Sequence, residues 1–252
     1  MITLKKHMFI LLGFILLGIA GKTQSQTHDR LATMQEQIYQ SFVSGDIPLW
    51  ERTIPQLERY YAANQSAEVL YDLLLARYGY IAFALETDRS KARDQLDKAE
   101  KELEKLFTYP AYRSNAYALE GAFLGFRISL RPLSGITLGP RSYRAIDNAV
   151  EADPNNPAAW MERGNSLFYT PSTFGGSKQE ALEAYRKAVS LFEKDMQPNQ
   201  KWLYLNSLVG LARSYEYTDR QQFAIATYRK ALRFEPDFKW VKEELLPAAQ
   251  KQ

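Results

Sequence analysis

Apolar positions fall into two regimes along this chain. Residues 8–20 form an uninterrupted apolar run behind Lys5 and Lys6, followed by the small and polar stretch GKTQSQ. From about residue 30 the apolar residues recur instead at helical spacing, and strand-like alternation is almost absent. Ala, Leu, Glu, Lys and Arg dominate these segments, as helix propensity prefers. Breaks fall at 45–48, 64–66, 87–88, 109–110, 131–140, 153–157, 169–177, 197–199 and 218–219, many carrying a Ser or Asp cap or a Pro suited to the first helical turn. The pattern predicts an all-α protein of about eleven helices.

Several segments share one face. Ala92, Leu96 and Ala99 have the spacing 0, 4, 7, and so do Ala181, Tyr185, Ala188 and Ala224, Tyr228, Ala231; Ser142, Ile146 and Ala149 follow with one change. Such a set lies on one side of a helix, and small residues at its ends let a neighbouring helix approach closely. Each occurrence is preceded by another helical segment, so the unit is a helical hairpin.

On these residues the chain resembles the tetratricopeptide repeat (TPR), with its pattern W-x2-L-G-x2-Y, A-x3-F and P. Leu208, Leu211, Ala212, Tyr215, Ala224, Tyr228, Ala231 and Pro236 fit that register without a gap. Trp160 and Gly164 open the preceding repeat, and Gly121, Ala149 and Pro154 belong to the one before. The best repeats are 113–154, 157–194 and 205–238; the fit is weaker around Tyr80, Phe83, Ala92 and Ala99. The resemblance implies a right-handed stack of helix-turn-helix hairpins in a single α-solenoid over 26–252. Its C-terminal capping helix falls on 237–250, with Trp240, Val241, Leu245 and Leu246 on one side. Stacking is required because one hairpin cannot bury its apolar face alone.

The N-terminal run is too short for a bilayer span of about 20 residues and reads as a signal peptide over 1–25, cleaved near Ser25/Gln26. That predicts a periplasmic or secreted protein with no membrane span after cleavage. Lys5, Lys6 and Lys22 account for the whole formal surplus of +3, so the remainder is balanced, unlike a nucleic-acid binder. There is no cysteine, and the only histidines are His7 and His28, so the predicted body lacks an imidazole and a thiol. Triad catalysis and the commonest zinc sites are excluded on composition, and no cofactor or metal is expected.

Two breaks are longer than a TPR turn needs. The stretch FYTPSTFGGSKQ puts Gly175 and Gly176 ahead of Ser177 and Lys178. It lacks the order of a phosphate-binding loop and follows a helix, so it is expected to be a turn, with both glycines at positive φ and a Ser177–Glu180 capping box. The other insertion, 131–140, should emerge on the same edge. Arg127, Arg131, Arg141 and Arg144 surround it, either as an anion-docking edge or as a solvated face with Glu partners.

The resemblance implies a groove lined by the first helix of each pair. Its candidate binding residues are Arg77, Asn115, Phe126, Met161, Asn165, Phe168, Tyr169, Asn206, Arg213 and Tyr217, with Leu74, Ile81, Ala118 and Ala122 between them. Asn and Arg suit a peptide backbone or carboxylate, and the aromatics suit apolar pockets; lysine is missing where such clamps often use it. The resulting expectation is a non-catalytic scaffold for a protein or peptide partner. The alternative is a carrier of a small apolar ligand, lined by Phe126, Phe168 and Tyr169. An enzyme would have to run on carboxylates, lysine or tyrosine; Glu120 and Glu162 could form a carboxylate pair, but each is expected to pair with an arginine instead.

Overall fold

A computed structural model describes residues 29–251. Eleven helices occupy them: α1 (29–44), α2 (Ile47–Asn64), α3 (Ala67–Thr87), α4 (Arg89–Leu106), α5 (Arg113–Leu130), α6 (Gly135–Ala152), α7 (Pro157–Tyr169), α8 (Lys178–Lys194), α9 (Lys201–Glu216), α10 (Gln221–Phe234) and α11 (239–249). Caps set many of the starts. Side chains of Asp46, Ser66, Asp88, Asn156 and Ser177 accept backbone N–H bonds at the heads of α2, α3, α4, α7 and α8, satisfying donors that have no partner inside the helix.

The hairpins are α3/α4, α5/α6, α7/α8 and α9/α10, and successive first helices also touch, α3 to α5 to α7 to α9. Every 0, 4, 7 set is buried: Ala92, Leu96 and Ala99; Ser142, Ile146 and Ala149; Ala181, Tyr185 and Ala188; Ala224, Tyr228 and Ala231. Tyr185 shows why the neighbours are glycines. Its ring presses on both Gly164 and Gly210, where an added Cβ would lie 2.8 and 2.4 Å away.

Two boundaries differ from expectation. The 131–140 insertion is not a loop throughout: a 3-10 turn covers Pro132–Ser134 and α6 begins at Gly135, with Pro140 inside it. A proline this near the N-terminus forfeits only one helical bond. In α11 the segment Val241–Leu245 is wound as a π-helix just ahead of Pro247, whose missing N–H removes a bond from the regular ladder.

Helix α1 joins the two ends of the array. The Phe42 ring meets Trp50 at 6.4 Å, Trp202 at 5.5 Å and Phe238 at 5.1 Å. Trp50 and Trp202 meet edge-on at 5.6 Å. Tyr39 donates a 2.6 Å bond to Glu235, while Asp72 of α3 accepts from Gln35 of α1 and from Asn199 ahead of α9. One core cluster therefore runs from Leu31 to Ala249.

Candidate functional site

Closure of the array divides the expected groove into a sealed part and an open part. On the sealed side Trp50 and Trp202 cover α3 at Gly79, and Leu74, Ile81 and Met161 are buried. The repeat register offers Arg77 to a partner, but the structure leaves it 1% exposed. Its guanidinium bonds Glu58 at 2.6 Å and Glu102 at 2.7 and 2.8 Å, and also reaches Gln95. Burial opposes its charge, yet Glu102 and Glu58 raise its pKa further than burial lowers it. Arg77 is a buried tie between α2, α3 and α4.

The asparagines are also engaged inside the protein. Asn165 donates to Tyr78 Oη at 3.2 Å and Glu162 Oε1 at 3.1 Å and accepts from Tyr185 Oη at 2.6 Å. Asn206 donates to Met161 Sδ at 3.8 Å. Asn115 lines a cavity with Tyr71, Tyr78, Met161, Glu162 and Leu203 that has room for about one water. The Tyr71 hydroxyl in that cavity is buried without a well-formed hydrogen bond.

Glu162 does not meet the arginine that its sequence setting suggests. It is buried among Tyr78 and Asn165; burial pushes its pKa up to about 7, with those hydrogen bonds pulling the other way. Glu120 lies near Arg141, and burial raises it while Arg141 lowers it. The two carboxyls thus have different surroundings, and Glu162 is not offered to a substrate.

The open part lies where α7, α8 and α9 meet. Phe168 ends the buried stripe of α7, with Tyr169 edge-on at 5.0 Å and Tyr217, just past the end of α9, edge-on at 5.3 Å. Tyr169 and Tyr217 are 65% and 60% exposed. Two cations sit on these rings. Lys178 Nζ is 3.9 Å from the Phe168 ring centre and 5.1 Å from that of Tyr217, and it donates to the Phe168 carbonyl. The Arg213 guanidinium lies 5.4 Å from Phe168 and 5.9 Å from Tyr169, donating to the Tyr169 hydroxyl at 3.2 Å.

Neither cation has an ion-pair partner among the described residues. Glu216 lies one turn along α9; burial raises its pKa, while a 3.3 Å hydrogen bond from Tyr228 to Oε2 and the nearby Arg213 charge lower it. Burial and then the Arg213 charge lower the Lys178 pKa. Cation–π contact offsets part of that repulsion, and the remaining donors lie beside a rim of tyrosines. Phe126 packs instead on the core, against Tyr78 at 5.4 Å and Phe123 at 6.3 Å, and has no ring contact with Phe168, Tyr169 or Tyr217.

Lys178 supplies the lysine that the inner helices lack. The Gly-Gly turn delivers it: Gly175 has φ +93°, Ser177 N–H bonds Leu167 O at 2.9 Å, and Ser177 Oγ caps Glu180 N–H at 3.2 Å. Gly176 serves differently from the expectation. Its φ is not positive; an added Cβ would stand 1.8 Å from the Thr170 carbonyl oxygen, so only glycine lets the two limbs of the turn pass each other. A lysine two residues past Gly-Gly, at a helix start, was the available signal in the sequence.

Of the four arginines around the other insertion, Arg127 is a structural bridge. It pairs with Asp97 at 2.7 Å and Glu100 at 2.5 Å on α4. Arg131, Arg141 and Arg144 are exposed and make no ion pair among the described residues.

Comparison with solved structures agrees with this architecture. The HusA haemophore from Porphyromonas gingivalis superposes with a TM-score of 0.62 at 23% identity, over 75% of this chain and 94% of its own. A thermophilic TPR protein from Thermus thermophilus gives a TM-score of 0.58 at 16% identity, over 87% of this chain and 100% of its own. The fold is TPR-like. At these identities the likeness concerns the fold alone. No family model matches the chain, and no curated protein matches it. No helix among the described residues is long and apolar enough to cross a membrane.

Proposed function

We propose that this protein is a non-catalytic, exported binding scaffold whose open site holds a small amphiphilic anion, an aromatic or apolar body bearing a carboxylate. One observation carries the reading: Lys178 and Arg213 stand together, partly buried and with no ion-pair partner among the described residues, over the rings of Phe168, Tyr169 and Tyr217. Two like charges held this way destabilise the ligand-free site, and an incoming carboxylate relieves them with charge-assisted hydrogen bonds. Tyr169 and Tyr217 supply an exposed aromatic rim beside them. A fold neighbour titled a haemophore supports a small ligand, and the apolar run at residues 8–20 supports export.

The test is a fluorescence titration with metal-free protoporphyrin, a planar dicarboxylate, against the parent protein and the Lys178→Met and Arg213→Met variants. Saturable binding is expected, weakened ~10-fold or more in each variant, since a hydrogen bond to a charged group contributes about 1.5–3 kcal/mol. Binding that ignores both substitutions, or no binding, rejects the reading.

A second reading keeps a protein or peptide partner. It rests on the same two cations, which also suit a C-terminal carboxylate followed by aromatic side chains, with the TPR-like fold behind it. The engaged asparagines and the Trp50–Trp202 closure leave it less groove than an extended peptide uses. Competition of an aromatic-rich peptide with protoporphyrin separates the two: displacement by the free-carboxylate peptide and not by its amide supports the second reading.

A further inference from the structure

The two insertions meet on one edge of the stack. The α7–α8 turn leans on α6: a Cβ on Gly175 would touch the Tyr143 hydroxyl at 3.8 Å. At their tips stand three large apolar side chains with almost nothing around them. Leu133 is 90% exposed, Ile136 78% and Phe174 69%. Apolar side chains this bare, carried by two neighbouring insertions, offer an edge that another apolar phase can cover.

Charge says what covers them. Residues 131–144 contain Arg131, Arg141 and Arg144 and no acid, and residues 170–178 contain Lys178 and no acid. The three arginines are exposed and make no ion pair among the described residues; Glu120 lies near Arg141 without pairing with it. A sequence balanced in charge beyond residue 25 thus concentrates positive charge beside its barest apolar tips.

We propose that this edge docks on an anionic lipid surface, with Leu133, Ile136 and Phe174 entering the headgroup–acyl boundary and Arg131, Arg141 and Arg144 contacting lipid phosphates. Shape favours lipid over a folded protein. Leu133 and Phe174 stand on short 3-10 turns and Ile136 in the first turn of α6, and a fluid apolar layer needs no complementary relief. Arginine stems lie along the boundary while their guanidinium heads reach phosphate oxygens. Phe174 precedes Lys178, the first residue of α8, by four residues, so the docked edge brings the open site next to the membrane.

The absence of cysteine provides a position-specific test. Leu133→Cys and Asn155→Cys, the latter on an exposed turn between α6 and α7, are labelled with a solvatochromic dye in the purified protein. Vesicles of phosphatidylcholine with about 30% phosphatidylglycerol are then added. We expect a blue shift of the dye at 133 and none at 155, with binding weakened on the order of 100-fold when Arg131, Arg141 and Arg144 are all changed to Glu. Circular dichroism verifies that the triple variant is folded. Equal shifts at both positions would mean attachment through another part of the chain and would overturn the proposal. So would no shift at 133, which would return the edge to a protein partner, or equal binding to pure phosphatidylcholine.

Discussion

Trp50 and Trp202 meet edge-on at 5.6 Å although one lies in the second helix and the other in the ninth. Phe42 packs on both, and Tyr78 lies 6.0 Å from Trp202. This one cluster turns a stack of hairpins, which is open-ended by nature, into an array whose ends touch.

Trp202→Ala should therefore cost more than a typical repeat-to-repeat substitution. We expect a loss of about 3–5 kcal/mol in urea unfolding, as for other large-to-small changes of a buried aromatic. A change under ~1 kcal/mol would mean that the closure contributes little.

Arg77→Met should destabilise by about 1–3 kcal/mol, because it removes the buried partner of Glu102 and Glu58, which water reaches only in part. Protoporphyrin affinity should hardly move, since Arg77 is not part of the open site. A folded variant with full stability would remove Arg77 from its structural role.

Lys178→Met should separate stability from binding. Removing one of two crowded cations relieves their repulsion, so the ligand-free protein should be as stable as the parent or up to ~1 kcal/mol more stable, while ligand affinity falls. Loss of both together would instead mark Lys178 as a structural residue. Gly176→Ala, in contrast, should damage both, because its Cβ collides with the Thr170 carbonyl.

Glu162 makes stability depend on pH. Its folded pKa, raised by burial to about 7 from 4.5, means that the native state holds a proton the unfolded chain has released. Its stabilising contribution is complete below about pH 4.5 and is lost as pH rises through about 7. Asp72, raised by burial to about 6 from 3.8 against the hydrogen bonds of Asn199 and Gln35, acts in the same direction between about pH 4 and 6. Glu162→Gln should flatten the pH dependence, with an advantage over the parent on the order of 2–3 kcal/mol at pH 8 relative to pH 4.5. Urea midpoints at the two pH values measure it, and parallel profiles would contradict the assignment.

How much of this was legible in the sequence differs by feature. Helix starts at Asp46, Ser66, Asp88, Asn156 and Ser177 were readable because capping is settled within four residues. The buried 0, 4, 7 sets were readable because one helix face repeats locally. The open site was half legible. Phe168, Tyr169, Arg213 and Tyr217 came from the repeat register, whereas Arg77 and Arg127 have the same residue type and a similar setting yet are consumed by Glu58 and Glu102 and by Asp97 and Glu100. Lys178 escaped because it lies outside the inner helices and reaches the site only through the path of its turn.

By itself the sequence determined the helices, their pairing into hairpins and the small-residue faces on which they stack, since each depends on neighbours within one repeat. The tertiary structure decided how tightly the stack curls, which part of the groove Trp202 and α1 close, and which cations remain without an acid. Those outcomes depend on side chains from distant repeats competing for the same contacts. No local pattern records which partner wins.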